Sequence, residues 1–321
     1  MRGLALTDAV YASVKASSRK GQLLREQGYA ELVALKSLKD FTARLRERYP
    51  KLAAVSGSEI KEVEGALLSS FSEEADEFSK FCPALEPVIG LIKQESDEDE
   101  RVEVLKYGAG NIDLEAIRTL PKRISREEAL SLLKKQGYGE EVEEGLRLYG
   151  RFNIPSLLKA VFTKHRLLRL IDAVARIGMG EELKGYLDLK VDSYNATTLL
   201  RALRNEFDPK AIEELLIYGA GEIGKERLRA AARSGNAQKM MAVFEGMGLE
   251  KAEGLRDIER SYEKRIFKNL RRIYYAGYVE AGSVIGYLEL KLTEVKNLIR
   301  IANAIERGID PKRALQDFAV Y

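Results

Sequence analysis

One hexapeptide is written twice in this chain. It reads Gly185-Tyr186-Leu187-Asp188-Leu189-Lys190 and returns, with one acid exchanged for another, as Gly286-Tyr287-Leu288-Glu289-Leu290-Lys291, an offset of 101 (185 to 286). The copies stay in step: Asn195 answers Asn297, and Asp208-Pro209-Lys210 answers Asp310-Pro311-Lys312, both at an offset of 102. Upstream, Leu168-Arg169 answers Leu270-Arg271 at the same offset. A worn third copy reads Leu105-Lys106 followed by Asn111, 84 residues before Leu189-Lys190. A long repeat implies one supersecondary unit copied along the chain, each copy burying its apolar face against its neighbours. The 321 residues accommodate three such units, placed at 1–111 (degenerate), 112–207 and 208–321.

The periodicity inside the repeat is helical. Ile285, Leu292 and Ile299 recur every seven residues, as do Leu288, Val295 and Ala302, and Leu298, Ile301 and Ile305 widen the stripe. This predicts a long amphipathic helix, with Gly308 as its stop and Asp310-Pro311 starting the next. Asp208-Pro209 starts a helix in the same way, and Ser125 with Glu128 forms a capping box. Tyr11 to about Lys51 reads as two helices closed by Tyr49-Pro50, and Ser56 to Lys80 as another, with Ser58 a candidate cap. Asp97–Glu100 reads as a solvated acidic segment. Gly137-Tyr138-Gly139 and Gly150 read as turns, and a helix beginning near Asn153 takes Pro155 in its first turn. No alternating runs flank Asn-Gly or Asp-Gly turns, so the chain reads as all-α.

Composition removes several function classes. No run of eighteen apolar residues is present, so no membrane span is expected, and the N-terminus lacks the apolar core of a signal peptide. Cys82 alone excludes an internal disulfide and points to a reducing compartment; with His165 as the single histidine, a His/Cys zinc site is not expected. The net charge of +3 hides an acidic middle (58–103) between basic segments (1–51 and 261–300), a pattern that suits charged partners and also ordinary solvated helix faces.

Two stretches mimic chemistry. Gly219-Ala220-Gly221-Glu222-Ile223-Gly224-Lys225-Glu226 satisfies both a dinucleotide fingerprint and most of a phosphate loop. A phosphate loop needs a hydroxyl after its lysine, where Glu226 stands, and either motif must follow a strand, whereas Asp208–Ile217 is composed as a helix. Gly219 is therefore read as a helix C-cap and Gly224 as loop. The second stretch, Lys264-Arg265-Ile266-Phe267-Lys268 through Arg271-Arg272-Ile273-Tyr274-Tyr275, interleaves cations and aromatics as nucleic-acid binders do, but equally suits a helix with its apolar side inward. With 53 basic against 50 acidic residues, no nucleic-acid partner is expected. His165 falls on or beside a helix face as a structural residue, and Cys82 has only His165 to work with as a nucleophile. No catalytic, cofactor-binding or metal residues are assigned; repeated Tyr, Lys and Asn read as packing and polar anchors. Asp192, beside Asn195, finds Thr293-Glu294 at the corresponding place and is read as unmatched.

Together these residues resemble the C subunit of the archaeal A-type ATP synthase, a family that includes the d subunit of the V-type ATPases. Gly185–Lys190, Asp192, Asn195 and Leu199-Leu200-Arg201 carry the resemblance in the second unit, and Gly286–Lys291, Glu294, Asn297 and Leu298-Ile299-Arg300 in the third. Tyr11–Ala16 followed by Gln22-Leu23-Leu24 is similar to the family's opening, and Leu216-Ile217-Tyr218-Gly219-Ala220-Gly221 also fits. Gly108-Ala109-Gly110 departs from it, standing where an aspartate-containing stretch is usual. The resemblance implies three similar helical bundles around a pseudo-threefold axis, forming a funnel. It implies a non-catalytic central-stalk rotor subunit, peripheral on the cytoplasmic face of the membrane. Its partners would be the central shaft subunits (D- and F-type) and the membrane proteolipid ring, so that ATP turnover is linked to H⁺ or Na⁺ translocation. The residues taken alone support an α-helical repeat scaffold or adaptor with an unrelated protein partner.

Overall fold

A computed structural model describes residues 6–57, 59–114, 117, 120, 121, 123–204, 207–236, 240, 243, 255–276 and 281–311. Among these the chain is all-helical, without a strand. In chain order the α-helices are α1 (Leu6–Ser18), α2 (Glu26–Val33), α3 (Leu38–Leu45), α4 (Ile60–Phe81), α5 (Glu86–Ser96), α6 (Glu98–Gly108) and α7 (Arg126–Lys135). There follow α8 (Gly139–Phe152), α9 (Ser156–Arg176), α10 (Gly180–Arg204), α11 (Pro209–Leu215), α12 (Lys225–Ser234), α13 (Leu255–Ala276) and α14 (Gly282–Glu306). Short 3₁₀ turns at Lys20–Gln22, Pro50–Ala54 and Pro83–Leu85 punctuate the first part.

The starts follow local chemistry. Ser125 Oγ accepts the Glu128 N–H (3.1 Å) while Glu128 accepts the Ser125 N–H (2.8 Å), closing the capping box of α7. Asp208 caps α11 through the Lys210 N–H at 2.7 Å, with Pro209 at the first helical position. At the far end of α14, the Ile309 N–H bonds back to the Ala304 carbonyl and the Gly308 N–H to Ile305, a Schellman stop with Gly308 at φ 63°. The helix expected to restart at Asp310-Pro311 runs, past Pro311, outside the described residues, as does the candidate cap Ser58.

Several boundaries differ from the sequence reading. The opening segment holds three helices, because Ser37 caps α3 through the Asp40 N–H at 3.1 Å and so divides the second stretch. Gly150 lies inside α8, which ends in the left-handed region at Asn153 (φ 53°); Pro155 precedes α9 rather than sitting within it. The worn copy differs in where its asparagine falls. Asn195 and Asn297 lie within α10 and α14, whereas Asn111 lies beyond the end of α6, where its N–H bonds to Lys106 in the closing turn.

Two compact units emerge, each discontinuous in sequence: Met1–Lys93 with Ala173–Tyr186 and Glu263–Tyr321, and Gln94–Asp172 with Leu187–Tyr262. In the first, α14 packs against α4, α1 and α3. Every residue from Ala281 to Leu292 is buried, so α14 is not the one-sided amphipathic helix its heptad suggests. It is a central helix covered on all sides, and it carries Glu289, Lys291, Glu294 and Asn297 inside with it. In the second unit α6, α7 and α8 pack in succession over a core including Leu105, Leu133, Tyr138, Val142, Leu158 and Phe162. A smaller cluster joins Leu167, Val191, Tyr194 and Ile217.

Candidate functional site

The glycine-rich loop decides the most tempting chemistry. α11 ends at Leu215 and the chain turns extended at Leu216 (φ −67°, ψ 145°), so Gly219 (φ 81°) is not its C-cap but part of the turn that follows. The helix ends early because α10 takes the next backbone groups. The Asn195 side chain donates to the Ile217 carbonyl and accepts the Ile217 N–H, both at 2.9 Å. Beyond it the Gly221 N–H donates to Asp188 (3.3 Å), and the Glu222 and Ile223 N–H groups donate to Asp192 (2.8 and 3.3 Å). A phosphate cradle consists of such converging amides left open for an anion. Here protein carboxylates already occupy them, and no strand leads into the loop.

Gly221 is required by this closure. At φ 88° it holds a left-handed conformation, and a Cβ there would lie 2.3 Å from Asp192 Oδ1. Burial pushes the Asp192 carboxyl up to about 6, against the two N–H donors that favour its charged form.

The corresponding place in α14 is Glu294, which does for another turn what Asp192 does for this one. Glu294 accepts the Leu24 N–H at 2.5 Å, together with the Tyr49 hydroxyl (2.5 Å) and Lys291 Nζ (2.7 Å). Lys291 also lies 4.4 Å over the Tyr49 ring, and burial raises the Tyr49 phenol well above its ordinary value. Burial raises the Tyr29 phenol, and Asn297 beside it works the other way. Asp192 is therefore matched in the third repeat: the extra methylene of Glu294 reaches a turn from a different part of the chain. No local signal marks this match, because Leu24 and Tyr49 are 270 and 245 residues away.

The repeated tyrosines also act alike. Tyr186 donates to Glu289, and Tyr287 donates to Glu74 of α4, which also receives Arg19. Tyr287 stands between the Phe78 and Tyr274 rings, with centroids at 5.6 and 5.7 Å. The repeated lysines diverge. Lys190 pairs with Glu95 (2.7 Å), which shares Arg166 (2.6 Å) with Glu98 (2.7 Å). Glu98 is buried at the start of α6 and also receives the Thr163 hydroxyl. The acidic run Asp97–Glu100 is thus not simply solvated: one of its carboxylates is an internal tie.

His165 Nε2 lies 2.6 Å from Glu144, which also accepts from Lys164 at 2.9 Å. Burial works to raise the Glu144 carboxyl, but His165 and Lys164 outweigh it and hold it at about 2. This histidine serves as a structural partner at the α8–α9 contact. Cys82 is fully buried after α4, and desolvation raises its thiol.

The basic–aromatic stretch lies in α13 with Phe267, Leu270, Ile273 and Tyr274 buried and Lys264, Lys268, Arg271 and Arg272 exposed. Tyr274 donates to the Ala16 carbonyl at 2.7 Å, so its ring is built into the core rather than offered for stacking on a base. Among the described residues, no helix is long and apolar enough to cross a membrane.

Comparison with known proteins identifies relatives along most of the chain. The chain is 24% identical to the C subunit of the A-type ATP synthase of Pyrococcus abyssi, over 94% of this chain and 88% of that one. It is 22% identical to the C subunit of the A-type ATP synthase of Thermococcus onnurineus over the same shares. A third protein of that name, from Haloferax volcanii, is 23% identical over 69% of this chain and 66% of its own. The family profile described as ATP synthase (C/AC39) subunit matches residues 12–316, and the chain belongs to that family.

Proposed function

We propose that this chain is a non-catalytic central-stalk subunit of an A/V-type ATP synthase/ATPase. It would lie on the cytoplasmic face of the membrane and join the shaft (D- and F-type subunits) to the proteolipid ring, so that ATP turnover drives or is driven by H⁺ or Na⁺ movement. The observation that carries this reading is the family match along residues 12–316, with relatives named as the C subunit of A-type ATP synthases. In this reading segments 1–111, 112–207 and 208–321 are three similar helical bundles about a pseudo-threefold axis, open as a funnel. The internal chemistry supports a mechanical role: polar groups on the long helices are spent on holding turns and neighbouring helices, and packed interiors transmit strain.

The test is a pull-down of the native protein from solubilised membranes, with co-purifying proteins identified by mass spectrometry. Recovery of the catalytic, shaft and proteolipid subunits together is expected. Recovery of unrelated soluble partners alone would replace the reading with that of a helical scaffold.

A further inference from the structure

We propose that the groove between α2 and α3 docks an acidic segment of a partner protein, gripped by Arg25, Arg44 and Arg48. The inference rests on the proposed function in one respect: the partner is taken to be another member of the complex. The groove encloses about 360 Å³, with Leu23, Leu24, Leu32 and Leu45 at its base. The three arginines lining it are all exposed, and the one acid lining it with them, Glu31, is already paired with Arg44. Arg25 and Arg48 make no ion pair among the described residues. Guanidinium groups are weakly hydrated and grip carboxylates with two parallel bonds, so such a rim suits carboxylates.

Helix formation accounts for part of this charge only. Arg44 lies in the last turn of α3, where cations are favoured, and Arg48 in the turn just past its end. Arg25 is the N-cap of α2 and makes no capping bond. That position prefers Ser, Thr, Asp or Asn, and a cation there opposes the helix dipole. Local physics argues against Arg25, so its presence needs another reason, and a bound anion supplies one.

One wall of the groove is tied to the core. Gly28 presents no side chain to it; a Cβ there would lie 2.7 Å from Leu24 Cδ2. The Leu24 N–H on one wall and the Tyr49 hydroxyl just beyond α3 converge on Glu294 of α14, both at 2.5 Å. A partner seated here would pull on the central helix of this unit through that one carboxylate.

The test compares wild type, R25E/R48E and a control, K264E/K268E, which reverses exposed cations on the outer face of α13. Each is used as bait on solubilised membranes at low salt, with circular dichroism and a thermal melt on each protein. R25E gives α2 a favourable N-terminal charge, so this variant is expected to fold. Recovery of ATP-synthase subunits at least tenfold lower with R25E/R48E, and unchanged with K264E/K268E, is the expected result; equal recovery by both variants overturns the groove and leaves the proposed function standing. If wild type recovers no ATP-synthase subunits, the proposed function fails, and the groove is decided by fluorescence anisotropy with a labelled hexaglutamate peptide bearing a C-terminal leucine. Binding at least tenfold weaker for R25E/R48E alone supports docking of an acidic segment. Absence of binding, or equal binding by both variants, overturns it.

Discussion

Asp192 is fully buried beneath the turn it holds, with its carboxyl pushed up to about 6 and two amides donating to it. A folded-state value above the ordinary carboxylate range means that the folded protein binds the proton more readily than the unfolded chain. This residue's contribution to stability is therefore greatest at acid pH and falls as pH rises towards about 6. Asp192→Asn removes the titration but keeps an acceptor oxygen. In paired urea melts from pH 4.5 to 7.5, wild type is expected to gain on the variant as pH falls, by at most about 1.4 kcal/mol per pH unit. A constant gap would count against the buried carboxyl. Gly221→Ala tests the same closure sterically and is expected to cost about 2 kcal/mol or more, since it adds left-handed strain to a contact at 2.3 Å. At this scale the repeated Tyr, Lys and Asn were legible in the sequence. Their partners were not, because Glu74, Glu95 and Ile217 are joined to them only by tertiary packing.

At the scale of elements, α14 is the clearest case of a helix whose pattern understates its burial. The heptad of Ile285, Leu292 and Ile299 marks one stripe, but α1, α3 and α4 cover the helix from several directions, and those neighbours come from far along the chain. Covering a helix completely also buries its polar residues, which Glu294 makes tolerable by meeting Lys291, Tyr49 and the Leu24 N–H together. Glu294→Ala leaves all three donors buried without that acceptor and is expected to destabilise the fold by on the order of 3–5 kcal/mol. Glu294→Gln keeps one acceptor and is expected to cost less; denaturant midpoints on both variants check the order. Helix starts were the easiest elements to read, because a cap such as Ser125 or Asp208 works through bonds to residues two or three positions away. Stops were harder. α11 ends where Asn195 claims Ile217, a decision made 22 residues upstream.

The whole molecule is two compact units, each assembled from separated pieces of sequence. The all-helical class was legible from caps and periodicity, and the family from the order of weak motifs along the chain; the interleaving was not, since no local signal records which distant helices share a core. The glycine-rich loop is closed by the chain's own carboxylates and the long helices are tied by buried tyrosines and acids, the kind of interior the proposed force-passing role would use. The most direct test is ATP-driven ion uptake by vesicles reconstituted with the complete complex or with the complex lacking this chain. Without it, ATP hydrolysis by the catalytic subunits is expected to persist while ion uptake is lost, and adding the purified chain back is expected to restore uptake. Undiminished uptake in its absence, or ATP hydrolysis by the purified chain alone, would contradict the account.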